Sequence, residues 1–184
     1  MKKVFKANIY FLTILILEIV GPYFLRPIYN ILNIDDVRLI LLFNHLILFM
    51  IPAIIYLIIT KSSFKNTLKL NKLHWKDLLL IILLGFVVQP VMTFLSVVST
   101  FFFNNDIGSF INEILSTPYI LLLGLVAVLP SITEEITVRG VVLSGYENKN
   151  KYVAAAVTGL FFGIFHLDAQ QFLYATVLGF VFAL

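Results

Sequence analysis

Six apolar runs separated by short polar connections organise the chain at the scale of a lipid bilayer, which a helix crosses with about 20 apolar residues. The first run covers residues 8–25, the second 39–59 and the third 78–103, the last long enough to tilt or to bend at Pro90. The fourth opens at Pro118 and continues through a polar patch to about Tyr146, and the fifth covers residues 152–167. A sixth starts near Phe172 and stops at Leu184, so its helix rises only ~20 Å against a hydrocarbon core of ~30 Å. The pattern predicts an all-α, polytopic transmembrane helix bundle of about six spans with the last incomplete, forming a single integral membrane domain over residues 1–184. The first run reads as a retained span rather than a signal peptide, because Gly21-Pro22 and the bulky Tyr23, Phe24 and Leu25 stand where a small-residue cleavage site would be.

Composition agrees with that reading. Apolar residues make up 60% of the chain and charged residues 12%, half the charge content of ordinary soluble domains at about 25%. The absence of cysteine excludes a disulfide framework and thiol chemistry. A net charge of +3 is no nucleic-acid signal here, because ten of the 13 basic residues sit in three clusters beside apolar runs. Lys2, Lys3 and Lys6 precede the first run; Lys61, Lys65, Lys69, Lys72 and Lys76 follow the second; Lys149 and Lys151 follow the fourth. The alternate connections hold only Arg26 and Arg38, which predicts a cytoplasmic N-terminus. Abundant Ile, Asn and Lys with few Arg suggest an AT-rich bacterial genome, and hence a bacterial plasma membrane. Residues 67–75 mix Leu68, Leu70, Leu73 and Trp75 with Lys and His74, and read equally as an interfacial helix or as a plain basic loop.

Charges within a span are costly and mark function. The fourth run holds Glu134, Glu135 and Arg139, and the fifth holds His166 near its far end. Glu135 and Arg139 are i, i+4 and share a helix face, whereas Glu134 is turned by about 100° and is left to point elsewhere. A turn centred near Asn148 and Lys149 would place Glu134 at ~21 Å and His166 at ~26 Å above it, within about one helical turn in depth. Ala154, Ala155, Ala156, Gly159 and Gly163 give the fifth run a face for close packing. A carboxylate and an imidazole meeting in a buried, partly wet cavity can activate water, the carboxylate taking the proton. A metal held by Glu134 and His166 would be another route to the same hydroxide.

At these residues the chain resembles a known family. Glu134-Glu135-x-x-x-Arg139-Gly140 resembles the first motif of the CPBP intramembrane proteases, which group the CAAX prenyl endopeptidases with bacteriocin-processing, bacteriocin self-immunity and abortive-infection (Abi) proteins. Phe162-Gly163-x-x-His166-Leu167 resembles the second motif. The resemblance covers about residues 118–184 and implies an intramembrane endopeptidase, of metalloprotease type if a metal takes part, acting on a membrane-bound or prenylated peptide. It implies Glu134 as the base that activates water, Glu135 as its assistant, Arg139 as the holder of the pair, His166 as ligand or polariser and Phe162 as a packing neighbour. Zinc or another divalent metal on Glu134 and His166 is the cofactor it allows. The partners it implies are the bilayer and a membrane-associated peptide or protein substrate, with no nucleic acid.

Two departures stand out. The family's third motif, His-x-x-x-Asn or His-x-x-x-Asp, is absent from the sequence, and the half-length last run favours a fragment over a natural truncation. Val138 stands where an aromatic residue often precedes the motif arginine. Blander readings compete throughout. The charged trio can be a structural ion-pair cluster, and His166 alone an interfacial histidine. Glu18 can sit in a helix interface or face the same cavity. Asn44, His45 and Gln89 read as interhelical hydrogen-bond partners, Pro52, Pro90 and Pro130 as kinks, Asp35, Asp36 and Glu113 as solvated loop charges, and Asp168 as a helix cap. Against the endopeptidase stand a non-catalytic bacteriocin-immunity or regulatory membrane protein and a proton-coupled transporter. The last lacks any visible inverted repeat.

Overall fold

A computed structural model describes residues 2–104 and 117–184; Asp106 and Glu113 lie outside them. Every regular element among the described residues is helical. Helices α1 (Lys2–Ile31), α2 (Val37–Thr60), α4 (Trp75–Thr100) and α5 (Tyr119–Gly145) are long and apolar enough to cross a membrane. The short α3 (Phe64–Thr67) precedes α4. Helices α6 (Lys151–Phe165) and α7 (Ala169–Ala183) are apolar but have only 15 residues each, about 22 Å of rise against the ~30 Å core. Helix α6 ends two residues before the expected fifth run does, and α7 begins three residues before Phe172. The described residues fall into two units, one of residues 2–68 with 117–145 and the other of residues 69–104 with 146–184.

In the first unit, α1 is longer than the apolar run it contains. It passes through Pro22 and Pro27 without ending, as spanning helices do where neighbours and local adjustments satisfy the freed backbone groups. Gly21 is therefore a packing residue and not a terminator: a Cβ there would sit 2.5 Å from Leu48 Cδ2 of α2. The buried stripe Ala7, Tyr10, Phe11, Ile14 and Gly21 follows helical periodicity. Asp36 is no idle loop charge. Its carboxylate caps α2 by accepting from Arg38 N at 2.9 Å and also from the Arg38 guanidinium, which holds the Asp36 carboxyl below its ordinary range. Lys61 closes α2 in the left-handed region, at φ 51°. Residues 68–74 are not helical, so an interfacial helix over 67–75 does not form.

Two of the expected proline kinks take a specific form. In α2 the winding widens to π over Leu46–Met50, just before Pro52. In α5 it widens over Gly124–Val128, just before Pro130. A proline has no N–H and its ring clashes with the carbonyl four residues earlier. In both helices that carbonyl, of Leu48 or Val126, lies inside the π stretch, which absorbs the conflict. Pro90 sits within an uninterrupted α4.

In the second unit, α6 and α7 pack through glycines. A Cβ on Gly159 would lie 2.6 Å from Phe180 N and 2.7 Å from Thr176 O, and one on Gly179 would lie 2.8 Å from Phe162 Cβ. The expected small-residue face is therefore in use, with Ala154 and Ala155 buried and Ala156 exposed. Asp168 caps α7, accepting from Gln170 N and Gln171 N. The buried Gln170 ties α7 to α4 by donating to Ser96 Oγ at 2.9 Å. Gln89, expected to bridge helices, is exposed on α4.

Candidate active site

Glu134, Glu135 and Arg139 come from one span and meet where its winding changes. From Glu135 to Val142 the helix is π-wound, and no proline accounts for this stretch. Such segments are rare and often accompany functional sites. In an α-helix Arg139 would face Glu135 alone. A π ladder runs i→i+5, so Arg139 lies between the directions of Glu135, four residues back, and Glu134, five back. Arg139 Nη1 donates to Glu135 Oε1 at 2.6 Å, and the guanidinium also interacts electrostatically with Glu134. Glu134 is therefore not independent of the pair, as simple α geometry implied. The Arg139 side chain is 11% exposed and that of Glu135 is 54% exposed, so the cation is held inside while one of its partners reaches outward.

The rest of the π stretch is anchored. Thr137, Val138, Gly140, Val141 and Val142 are buried, and the stretch packs on α1. The motif glycine has a steric role: a Cβ on Gly140 would lie 2.6 Å from Leu68 Cδ2, so its absence admits the leucine that follows α3.

Two neighbours arrive from other spans of the same unit. Glu18 of α1 lies close enough to Glu134 to interact with it electrostatically, and its Oε2 is buried without a hydrogen-bond partner among the described residues. His45 of α2 places Nδ1 3.0 Å from Oγ1 of Thr133, the residue preceding Glu134. Asn44 accepts from Tyr29 Oη at 2.9 Å. Asn44 and His45 thus act as the interhelical partners expected of them. That His45 reaches the residue beside Glu134 was not visible in the sequence, although polar residues placed inside two apolar runs were the available signal.

His166 and Phe162 belong to the other unit. His166 caps the end of α6, just before Leu167 turns the chain at φ 49°. Its ring meets that of Phe162 edge-on, centroids 4.8 Å apart, and Nδ1 lies 2.8 Å from Phe162 O. A carbonyl only accepts, so Nδ1 carries the proton, and in the neutral ring Nε2 holds the lone pair. The motif's glycine, Gly163, leaves room for Thr176 Oγ1 and Phe172 O of α7. The structure thus groups Glu134, Glu135 and Arg139 in one unit, and His166 with Phe162 in the other.

Three carboxyls, from Glu18, Glu134 and Glu135, stand against one guanidinium. A surplus carboxyl in a mostly apolar setting is chemically suited to take a proton from water. Among the described residues, neither unit gathers three His, Asp or Glu side chains able to hold a metal ion. No step is derived through a metal.

The fold and these residues define a class: an all-helical protein of apolar spans, carrying paired carboxylates and an arginine inside one of them. Residues 116–184 match the family model described as Rce1-like, type II CAAX prenyl endopeptidase Rce1-like. The matched residues include both motifs. No curated protein and no solved structure gives a significant match.

Proposed function

We propose that this protein is an intramembrane endopeptidase that hydrolyses a peptide bond in a membrane-associated or prenylated, CAAX-type peptide. The observation that carries the reading is the Glu134–Glu135–Arg139 cluster in a π-wound, apolar span, within the region matched by the CAAX endopeptidase family. Glu134 takes a proton from water, and the resulting hydroxide adds to the scissile carbonyl carbon. Glu135, fixed by Arg139, orients Glu134 and the water. Collapse of the tetrahedral intermediate breaks the C–N bond, and Glu134 returns its proton to the departing amine. On the strength of the second motif, His166, with its Nδ1 proton held by Phe162 O, is assigned to polarising the water. The protein works in a bacterial plasma membrane with its N-terminus in the cytoplasm, a reading supported by the distribution of lysines.

The test is cleavage of a farnesylated CAAX peptide by the full chain in proteoliposomes. Glu134→Gln keeps the shape and removes the base, and should lower turnover at least ~100-fold while the protein accumulates normally. Cleavage at the wild-type rate by that variant overturns the assignment.

A further inference from the structure

A groove of about 450 Å³ runs between α1 and α2, and none of Glu18, Glu134, Glu135 and Arg139 lines it. On α1 its wall extends from Phe5 and Lys6 through Tyr10 to Leu17, and on α2 from Pro52 to Thr60. The helices pass in opposite directions, so Lys6 and Thr60 mark the same end. The α1 wall spans twelve residue steps, ~18 Å of helix, close to the ~15 Å depth of one leaflet in a ~30 Å core.

The wall offers little polarity. Thr13 Oγ1 donates to Ile9 O at 2.9 Å and Thr60 Oγ1 to Tyr56 O at 2.7 Å, so both hydroxyl protons are committed to their own helices. The Tyr10 and Tyr56 rings, centroids 4.8 Å apart, add aromatic surface. Beyond the Tyr10 and Tyr56 hydroxyls, a peptide lying here would leave its amides without partners, at several kcal/mol each in lipid. A hydrocarbon chain loses nothing. Charge is confined to one end: Lys6 lines the groove and makes no ion pair among the described residues, and Lys61 follows Thr60 immediately. Both lysines are exposed. That end lies where lipid headgroups sit, and a lysine there attracts an anionic lipid.

We infer that the α1–α2 groove is a binding site for one anionic glycerophospholipid, its acyl chain along the Tyr10–Tyr56 wall and its phosphate on Lys6. The site is separate from the proposed peptidase chemistry, so either assignment can fail alone. The experiment is native mass spectrometry of the full chain in detergent, titrated with phosphatidylglycerol or phosphatidylcholine of identical acyl chains. One phosphatidylglycerol should bind at least tenfold more tightly than phosphatidylcholine. Lys6→Gln should reduce that preference below threefold, and Lys6→Arg should retain it. Thr13→Trp, which fills the groove, should remove bound lipid of either headgroup, with size-exclusion profiles confirming a folded chain. Equal affinity for the two lipids in the wild type overturns the proposal. So does unchanged phosphatidylglycerol binding in Lys6→Gln, or displacement of that lipid by farnesyl-cysteine methyl ester, which would make the groove a prenyl site.

Discussion

His45 Nδ1 and Thr133 Oγ1 lie 3.0 Å apart, joining α2 to α5 across 88 residues of sequence, next to the proposed base Glu134. Thr133 Oγ1 also lies 3.1 Å from Leu129 O and 3.0 Å from Pro130 O. Its single proton, directed to those carbonyls, leaves the oxygen to accept from His45 Nδ1–H. The bond then pins the residue preceding Glu134 to a second span. It is a positioning contact, so its loss should appear in turnover more than in substrate affinity. His45→Phe should lower kcat about tenfold, equivalent to ~1.4 kcal/mol and within the range of a buried hydrogen bond, with KM little changed. His45→Asn, which retains a donor, should recover part of the rate. A change confined to KM would place His45 on the substrate instead.

The spans were legible because lipid demands unbroken apolar runs, and the four long helices follow the first four runs. Helix ends were less so. The first run was expected to end at Leu25, but α1 continues through Pro27 to Ile31, and Gly21 is a seat for Leu48. The π windings left no periodic signal, since i→i+4 and i→i+5 ladders are built from the same apolar residues. Pro52 and Pro130 announced a disturbance without revealing its form. Within the candidate site, the Glu135–Arg139 pair followed from spacing alone. The coupling of Arg139 to Glu134 required the π stretch, and the approach of His45 and Glu18 required tertiary packing that no local pattern encodes.

Lys61 closes α2 in a backbone conformation that suits glycine. At φ 51° a Cβ crowds the adjacent carbonyl, at a cost of about 1–2 kcal/mol. Lys61→Gly should therefore raise the thermal midpoint in detergent by a few degrees. Lys61→Ala, which removes the charge but keeps the Cβ, should not. Equal shifts in the two variants would trace the effect to charge.

Two glycines predict opposite outcomes. A Cβ on Gly159 meets backbone atoms of Thr176 and Phe180, which yield only if α7 moves, whereas one on Gly85 meets nothing within 4 Å. Gly159→Ala should destabilise by about 1–3 kcal/mol through overpacking. Gly85→Ala should be neutral, or stabilise by up to ~1 kcal/mol through helix propensity. Thermal unfolding followed by helical circular dichroism in detergent compares them directly. A tolerant Gly159→Ala would mean that the two helices do not approach as closely as the structure shows.

Arg139 and Glu135 share one ion pair but should respond unequally to its removal. Arg139 is the more buried partner and faces two carboxylates, while Glu135 is half exposed and faces one guanidinium. Arg139→Met leaves adjacent carboxylates uncompensated in an apolar span. The penalty for an orphaned buried charge is about 3–5 kcal/mol, and solvent at Glu135 places this case toward the lower end. Glu135→Gln leaves Glu134 to balance the arginine and keeps an amide oxygen to accept from it, so its cost should stay within about 1 kcal/mol. Membrane accumulation and thermal midpoint should fall clearly for Arg139→Met and hardly for Glu135→Gln, and adding Glu134→Gln to Arg139→Met should restore part of the loss. Equal effects of the two single substitutions would show that Arg139 is held by Glu135 alone, and the role drawn for the π winding would fall with them.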